Sequence, residues 1–312
     1  MTAILVTGGC GYIGSQLVRT LAELAPGREV RILDNLHRDT YRSLMDLPDG
    51  ATYRFFHGDV LDRAMLGRAL GGVDTVFHLA GIVRTPMTFE NPAWMRQVNQ
   101  WGTQGIAEAA LSEGVKRFVF ASSTVVYGPG GPHVESVTPR PVGPYAESKA
   151  GAEHALASLA ARGLDVRVVR LGMAYGYAPA LRLDGVANRL VFQAATGRPV
   201  TVYGSGNQRR PLIHVEDAAR ALVHVAGLEP RGKATFNAVS ANPTILELAE
   251  SIVASHPGVE LRFTDQDAQT HLSFEVDGAA LRATGWRPTV DHREAIQALL
   301  ARFGGLDSSG RS

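Results

Sequence analysis

The sequence predicts an α/β fold in which a doubly wound parallel sheet is followed by a smaller C-terminal α/β lobe. The first observation behind this prediction is an alternation of short, β-branched apolar runs with longer segments of helical period. Strands that are apolar along their length and separated by helices are typical of a parallel sheet covered on both faces. The strand candidates are AILVTG (3–8), VRILDN (30–35), YRFFHGDV (53–60), VDTVFHLAG (73–81), KRFVFASS (116–123) and DVRVVRLG (165–172).

The second observation is a change of rhythm after about residue 175. Turn residues such as Pro179 and the segment SANPT (240–244) separate shorter elements there. We therefore predict a cofactor-binding domain over residues 1–175 and a substrate-binding lobe over residues 176–312. The stretch from Val215 to Leu228 has the pattern of a helix that could return to the first domain, so we expect the chain to rejoin that domain at about 210–240.

The composition excludes several functional classes. The 312 residues are 45% hydrophobic and 20% charged, as in an ordinary soluble globular protein. The 31 Lys and Arg residues balance 30 Asp and Glu residues, so charge gives no reason to expect nucleic acid or an anionic membrane as a partner. Cys10 is the only cysteine, which excludes an intramolecular disulfide and a cysteine-based metal cluster. With neither a signal peptide nor an apolar run of about 18 residues, we expect a cytoplasmic protein.

The glycine-rich stretch VTGGCGYIGS (6–15) follows the first predicted strand and opens a helical pattern. Gly8, Gly11 and Gly14 have the spacing G-x-x-G-x-x-G, which lets the backbone turn sharply and approach a diphosphate at a helix N-terminus. A tight turn alone would need the same residues. The next strand ends at Asp34, 20 residues after Gly14, where a carboxylate can bind the adenosine ribose hydroxyls and repel a 2′-phosphate. This arrangement favours NAD, with NADP as the minor alternative because Arg38 is near.

Other residues also follow predicted strands, and ligands of such sheets lie beyond the carboxyl ends of the strands. Asp59 and Val60, in HGDVLD, are placed to meet an adenine ring. Asp59 could equally cap the helix that follows. The residues at this predicted edge are Gly8, Asp34, Asp59, Ala80, Ser123 and Gly172.

Tyr145 and Lys149 are spaced i, i+4 in the helical segment PYAESKAGAEHALASLAARG, so their side chains project from one face. A phenolate can take the hydroxyl proton that leaves when a hydride leaves an alcohol carbon. Since free tyrosine has a pKa of ~10, action near pH 7 needs ~4 kcal/mol of phenolate stabilisation, which the Lys149 ammonium and a nicotinamide ring could supply. An exposed tyrosine and lysine on a helix surface are the ordinary alternative.

Ser123 lies at the predicted end of the fifth strand, in FASSTVVYG. Its hydroxyl could share the proton of the substrate oxygen with Tyr145. A structural strand-end hydroxyl is the alternative for Ser122 or Ser123.

Together these residues resemble the extended short-chain dehydrogenase/reductase family, the NAD-dependent nucleotide-sugar epimerases and dehydratases, and within it the UDP-glucose 4-epimerases. The resemblance runs from the glycine loop to about Ile296 and implies a Rossmann domain that holds NAD tightly. It also implies Ser123, Tyr145 and Lys149 as the catalytic group and a nucleotide diphospho-sugar under the second lobe. The segments that carry it are TGGCGYIG (7–14), Asp34, GDV (58–60), HLAG (78–81), Asn99 in VNQWGT, SSTVVYG (122–128), YAESK (145–149), RLGMAYG (170–176), YGSGNQRRPLIHVEDAARA (203–221) and GWRP (285–288).

The resemblance further implies which residues contact each ligand. The NAD contacts would be Gly8, Gly11, Tyr12, Ile13, Gly14, Asp34, Asn35, Asp59, Val60, Leu79, Ala80, Gly81, Asn99, Tyr145 and Lys149. The substrate contacts would be Ser123, Thr124, Met173, Asn188, Tyr203 and Arg210.

The implied reaction begins when Tyr145 deprotonates the sugar 4-hydroxyl as hydride leaves, which gives a 4-keto sugar. If that sugar turns over and takes hydride back on its other face, the result is 4-epimerisation. The 4,6-dehydratase relatives carry an acidic pair just after the serine, whereas Thr124 and Val125 stand there in this chain, so dehydration is disfavoured. The alternatives left open are a reductase or dehydrogenase of a keto sugar or other hydroxyl substrate, and a non-catalytic NAD-binding sensor.

The substrate side departs from the family pattern. Arg210, in GNQRRPLIH, matches the arginine expected to bind the diphosphate. Met173, however, stands where the family has an asparagine, and a second phosphate-binding arginine is missing from DAQTHLSFEV (267–276). Arg182 could compensate, or be a solvated loop residue.

Two further expectations concern histidines and assembly. The spacing of His78, His214 and His224 fits no metal site, and we predict structural hydrogen bonds for all three. The resemblance implies a homodimer through the helices at Tyr145 and at QGIAEAALSEG (104–114). Packing of these small residues against the protein's own sheet is the alternative.

Overall fold

The computed structural model describes residues 3–83, 91–229, 234–265 and 273–304. In chain order the strands are β1 Ala3–Thr7, β2 Glu29–Asp34, β3 Thr52–His57, β4 Val73–His78, β5 Arg117–Ser123, β6 Gly130–His133, β7 Asp165–Leu171, β8 Met173–Tyr175, β9 Val200–Tyr203, β10 Leu212–His214, β11 Thr235–Ala238, β12 Leu261–Thr264 and β13 Phe274–Val276. The helices are α1 Tyr12–Leu24, α2 Arg63–Leu70, α3 Pro92–Arg96, α4 Thr103–Ser112, α5 Pro144–Ala160, α6 Val186–Ala195, α7 Val215–Gly227, α8 Ile245–Ser255, α9 Ala279–Ala283 and α10 His292–Arg302.

Seven parallel strands form the central sheet, in the order β11-β7-β5-β4-β1-β2-β3. This confirms the predicted doubly wound α/β fold. All six predicted strands belong to the sheet, and β11 adds a seventh beside β7 from the later part of the chain.

Helices cover both faces of this sheet because successive side chains of a strand point to opposite sides. On one face Ile4 and Val6 of β1 pack in a cluster with α1 and α7, whereas Leu5 belongs to the opposite cluster with α2, α4 and α5. All three β1 residues are at most 3% exposed, which explains why the strand reads as a continuous apolar run.

The strand order reverses between β1 and β4, because the chain first builds outward through β2 and β3 and then crosses back to β4, β5 and β7. In such sheets the crevice at the reversal is the usual ligand site. The segments that follow β1 and β4 meet there, which places Gly8 against Ala80.

A separate hydrophobic cluster lies in the later part of the chain. It joins α6, α8 and α10 with β9 and includes Leu190, Val202, Leu248 and Leu299, each at most 2% exposed. Short parallel pairs, β8 with β10 and β9 with β12, accompany this cluster. The pair β8–β10 begins only two residues after β7 ends, so residues near Met173 continue directly from the edge of the large sheet.

Candidate active site

The glycine loop after β1 is a tight turn whose glycines are required by its own packing. Gly8 has φ +68°, and a Cβ there would lie 2.6 Å from the amide nitrogen of Ala80. A Cβ on Gly14 would collide with the carbonyl oxygen of Gly8, and one on Gly11 would lie 3.1 Å from that oxygen. Both interpretations of the glycine pattern are therefore compatible. The loop needs glycine in order to turn, and the N-cap of α1, Gly11, has no side chain that would cover the helix N-terminus.

The carboxylate of Asp34 lies at the end of β2 beside this loop. Its Oδ2 accepts the backbone N–H of Cys10 at 2.9 Å and its Oδ1 accepts that of Leu36 at 2.9 Å. Each carboxylate oxygen has further acceptor capacity, which suits ribose hydroxyls. Burial raises the pKa of Asp34, whereas the two backbone bonds lower it. Arg38 donates to the carbonyl of Val83 at 2.5 Å, so its guanidinium reaches across to the segment after β4.

Asp59 is fixed beside the same edge. Its Oδ2 accepts the side-chain amide of Asn35 at 2.8 Å, and its Oδ1 accepts the N–H of Leu61 at 2.9 Å. The helix α2 is instead capped by Asp62, which accepts the N–H groups of the first turn at 2.9 and 3.1 Å. The alternative that Asp59 caps this helix is therefore wrong. Val60, next along the chain, is 6% exposed and packs in the core under α2.

Asn99 connects the segment after β4 to α5, the helix that carries Tyr145 and Lys149. It lies in a π-helical stretch, Gln97–Gly102, a form often found at functional sites. Its Oδ1 accepts the N–H of Ile82 at 2.7 Å, and its Nδ2 donates to the carbonyl of Ile82 at 2.9 Å and to Ser148 Oγ at 3.0 Å. Ser148 in turn donates to the carbonyl of Tyr145 at 2.8 Å. Gly81 leaves room for this amide, because a Cβ there would lie 3.1 Å from Asn99 Oδ1.

The structure brings Ser123, Tyr145 and Lys149 together. Ser123 ends β5, and its side chain is close enough to the Tyr145 hydroxyl to lower the pKa of that phenol. Tyr145 and Lys149 stand one turn apart near the start of α5. Lys149 Nζ donates to the carbonyl of Ala121 at 2.9 Å and lies 4.7 Å from the centre of the Phe120 ring. The lysine is 4% exposed, so the surface alternative for this side chain is wrong.

The ionisation of this group is set by burial. Burial raises the pKa of Tyr145, and the charge of Arg182 and the Ser123 hydrogen bond lower it without cancelling that increase. Burial lowers the pKa of Lys149 to about 8, although the nearby Glu153 carboxylate opposes this. The protein alone therefore keeps the phenol protonated at neutral pH. The positive ring of a bound nicotinamide is the additional charge that would favour the phenolate.

Arg182 is open to two interpretations from the sequence, and in the structure its charge acts on Tyr145. Its guanidinium pairs with Asp184 through Nε at 2.8 Å and Nη2 at 2.5 Å. Arg182 lowers the pKa of both Tyr145 and Tyr12. The carboxylate of Asp184 is also within the electrostatic influence of Arg38. The loop before α6 thus holds a fixed arginine whose charge acts on Tyr145 and Tyr12.

The residues predicted to bind the diphosphate lie around β8, β9 and β10. Arg210 donates to the carbonyl of Arg209 at 2.8 Å, and burial lowers the pKa of its guanidinium to about 10. Met173 begins β8, donates its N–H to the carbonyl of Pro211 at 2.7 Å, and pairs with Leu212 of β10. The ring of Tyr203, at the end of β9, lies 5.3 Å from the guanidinium carbon of Arg189. The part of DAQTHLSFEV from 267 to 272 lies outside the described residues.

Tyr12 and Asn188 are predicted to contact ligands, yet they hydrogen-bond each other. The Tyr12 hydroxyl donates to the carbonyl of Gly176 at 2.5 Å and accepts from Asn188 Nδ2 at 3.1 Å. Asn188 also donates to the carbonyl of Arg182 at 2.9 Å and accepts the N–H of Gly176 at 2.9 Å. Tyr12 is 7% and Asn188 2% exposed. In the structure these two side chains join α1 to α6.

Ile13, Leu79 and Thr124 complete the set of predicted contacts. Ile13 and Leu79 are partly buried against the core cluster beneath the glycine loop. Thr124 is 2% exposed and begins the short 3₁₀ turn Thr124–Tyr127 after Ser123.

Sequence reasoning missed the pair formed by Glu153 and Arg170. Arg170 Nη2 lies 2.6 Å from Glu153 Oε2, and the charge of this carboxylate acts on Lys149. The signals were available, since Glu153 follows Lys149 at i+4 and Arg170 opens the segment RLGMAYG. Neither residue stood out without the contact.

The histidines have the predicted structural hydrogen bonds. His78 lies 2.7 Å from Thr7 Oγ1 and 2.9 Å from Thr103 Oγ1, His214 accepts from the N–H of Glu216, and His224 lies 2.8 Å from Thr284 Oγ1. Across the described ranges, no cluster of three or more His, Cys, Asp or Glu is arranged to hold a metal ion. Within the same ranges no helix has the length and apolar character needed to cross a bilayer.

The glycine turn, the open end of α1 and the Asp34 carboxylate suit a dinucleotide with free ribose hydroxyls. Comparison with known proteins agrees. The profile of the NAD dependent epimerase/dehydratase family matches residues 4–238. A dTDP-glucose 4,6-dehydratase of Streptomyces niveus is 35% identical over 260 residues, which cover 81% of this chain and 77% of that protein.

Two solved structures cover almost the whole chain. The dTDP-glucose 4,6-dehydratase of Streptomyces venezuelae, solved with NAD, is 30% identical with a TM-score of 0.85 and covers 97% of this chain and 96% of its own. The UDP-glucose 4-epimerase of Thermus thermophilus, also solved with NAD, is 30% identical with a TM-score of 0.83 and covers 97% and 99%. The protein is therefore an enzyme of the NAD-dependent epimerase/dehydratase family, and its cofactor is NAD.

Proposed function

We propose that this enzyme is a nucleotide-sugar 4-epimerase that acts through a transient 4-keto sugar. One observation carries the proposal: a complete Ser123, Tyr145 and Lys149 group is followed in the chain by the neutral residues Thr124 and Val125. The group has what oxidation and reduction at a hydroxyl carbon need. The two positions after it lack the acid and base that loss of water would need.

The residues that would hold NAD are those of the glycine loop and of the strand ends. The open N-terminus of α1 suits the diphosphate, Asp34 the adenosine ribose, and Asp59 with Val60 the adenine. When bound, NAD supplies the acceptor and donor of the hydride at carbon 4 of the sugar.

Proton transfer is the work of the chain itself. In this mechanism Tyr145 Oη takes the proton of the sugar 4-hydroxyl, while Ser123 Oγ hydrogen-bonds the same oxygen. The Lys149 ammonium, fixed by the carbonyl of Ala121, stabilises the phenolate from one turn along α5. Once the sugar has turned, carbon 4 would take the hydride back on its other face and Tyr145 Oη would return the proton to the 4-oxygen, so that no cofactor is consumed.

Dehydration is the competing reaction, because dTDP-glucose 4,6-dehydratases are prominent among the relatives. Two carboxylates associated with this group, that of Glu153 and that of Asp184, are already engaged. Glu153 pairs with Arg170 at 2.6 Å, and Asp184 pairs with Arg182 at 2.5 Å. A carboxylate held by arginine is a poor proton donor, because the pairing favours its ionised form.

For the substrate we propose a nucleotide diphospho-sugar whose diphosphate is bound by Arg210. Burial of its guanidinium supports this role, because a desolvated arginine interacts strongly with a phosphate. Thr124, Met173, Asn188 and Tyr203 remain predicted substrate contacts, of which Asn188 would act through the loop that carries Arg182. A homodimer through α4 and α5 and a cytoplasmic location also remain predictions.

The decisive experiment incubates the enzyme with a panel of UDP-, dTDP-, GDP- and CDP-sugars and identifies the products by nuclear magnetic resonance. We expect inversion at carbon 4 of at least one sugar without net formation of NADH. A 4-keto-6-deoxy product would instead identify a dehydratase, and stoichiometric NADH formation a dehydrogenase. NAD binding without turnover of any member would indicate a sensor.

A further inference from the structure

A buried ion pair and its hydrogen-bond partner link β7 and β5 to α5, the helix that carries Lys149. Arg170 of β7 donates to Glu153 of α5 through Nε at 3.0 Å and through Nη2 at 2.6 Å. The side chains are 6% and 11% exposed. Ser122 of β5 donates its hydroxyl to Glu153 Oε1 at 2.5 Å. The Glu153 carboxylate is therefore fixed from two neighbouring strands.

This carboxylate belongs to the same helix as Lys149. Glu153 follows Lys149 by four residues on one face of α5, and its charge acts on the lysine ammonium. The lysine itself is 4% exposed, and its ammonium contacts the carbonyl of Ala121 and the ring of Phe120. A buried ammonium needs a nearby negative charge to remain ionised.

The other groups around Lys149 do not supply that charge. His78 of β4 is fully buried. Burial, together with the charge of Lys149, lowers the pKa of its ring to about 3, so the ring is neutral. Tyr145 of α5 is a protonated phenol in the protein alone, since burial raises its pKa. Arg170 of β7 is cationic, and its charge is offset by Glu153.

We propose that Glu153 is a positioning residue of the active site: its carboxylate, fixed by Arg170 and Ser122, keeps the Lys149 ammonium charged and holds the end of β5 that presents Ser123. Glu153 acts through Lys149 and Ser122, and its interactions engage both carboxylate oxygens within the protein. Arg170 orients it, and the hydroxyl of Tyr127, at 2.8 Å from Arg170 Nη1, orients Arg170 in turn. The proposal rests on the catalytic role given to Lys149 under the proposed function.

The chain offers a direct test because it contains only three lysines, Lys116, Lys149 and Lys233. Protein labelled with ¹³C in its lysine side chains gives few signals, and the signal lost in Lys149→Met is that of Lys149. A pH titration of this signal reports the pKa of the ammonium without any sugar substrate. Lys116, which is exposed, serves as the internal reference.

We expect Glu153→Gln to lower the pKa of Lys149 by about 1, because the opposite charge is lost and Arg170 is left uncompensated. At pH 7 the charged fraction of Lys149 would then fall from about nine-tenths to about half. In the epimerase assay, the alkaline limb of the kcat profile should move to lower pH by the same amount. Glu153→Asp should restore part of the shift.

Two further variants separate charge from folding. Glu147→Gln changes an exposed glutamate on the same helix and should leave the titration of Lys149 unchanged. Glu153→Gln combined with Arg170→Met removes both charges, so its pKa for Lys149 should lie between those of the wild type and Glu153→Gln. If Glu153→Gln alone does not fold, the titration of Lys149 is measured in the double variant instead. This variant has no buried arginine left without a partner at position 170.

An unchanged Lys149 titration in folded Glu153→Gln, or in the double variant if only that folds, would overturn the proposal. The outcome is separable from that of the proposed function. A shifted titration in an enzyme that inverts no sugar would leave Glu153 assigned and remove the epimerase. Sugar inversion with an unshifted titration would support the epimerase and overturn the role given to Glu153.

Discussion

The cofactor edge and the substrate side of this protein are built in different ways. At the cofactor edge, strand ends and glycine turns fix the predicted groups, as when Gly8 lies against Ala80 and Asp34 accepts two backbone N–H groups. On the substrate side, Arg210 precedes β10 and Tyr203 ends β9, two strands of separate pairs, and Met173 stands where the family pattern has an amide. In the proposed assignment, backbone geometry together with the Asp34 carboxylate would hold the cofactor, whereas a few side chains from separate segments would hold the substrate.

The largest expected effect concerns Tyr145, which is proposed to act between the cofactor and the substrate. Tyr145→Phe removes the proton acceptor, so we expect turnover to fall by about 10²- to 10⁴-fold or more while NAD still binds. Turnover and NAD affinity are measured on the same preparation. Full activity in this variant would exclude the mechanism.

The backbone character of the cofactor edge is tested at Gly8. Gly8→Ala places a Cβ at φ +68° against the Ala80 backbone, so we expect a loss of about 3 kcal/mol in the free energy of unfolding, with weaker NAD binding. Gly67→Ala is the matched control, because this helical glycine has no described atom within 4 Å of its Cβ position. It should stabilise the protein by about 0.5–1 kcal/mol. Equal changes in the two variants would contradict the packing argument.

The side-chain character of the substrate region is tested at Arg210. Arg210→Ala should weaken nucleotide-sugar binding by about 10- to 100-fold, the effect of a charge-assisted hydrogen bond, and leave NAD binding nearly unchanged. Arg262→Ala removes an exposed arginine and serves as the control. Calorimetric titration with each ligand measures both affinities. Equal weakening of NAD and nucleotide-sugar binding would remove Arg210 from the substrate site.

A smaller effect is expected at Asp34, where cofactor choice depends on one carboxylate. Asp34→Ala removes the acceptor for the ribose hydroxyls and the repulsion of a 2′-phosphate, so the preference for NAD over NADP should fall by about tenfold. The ratio of the two dissociation constants measures this preference. An unchanged ratio would count against the ribose assignment.

Much of the fold and of the catalytic group could be predicted from the sequence because their signals are local. The strand runs and the helix of Tyr145 and Lys149 follow from periodicity, and Ser123 follows from the end of a strand. Other features depend on backbone geometry or on contacts between distant segments. Asp62 rather than Asp59 caps α2, a difference that only local backbone geometry decides. The pairing of β11 with β7 depends on where the chain returns to the sheet.

The sequence by itself determined the parallel α/β sheet, the glycine turn, the carboxylate at Asp34 and the shared helix face of Tyr145 and Lys149. The tertiary structure alone decided that Tyr12 bonds to Asn188, 176 residues away, and that Arg170 meets Glu153. The reason is physical. Periodicity and spacing specify which face of an element a side chain occupies, whereas the partner on the facing element is specified only once the elements have packed.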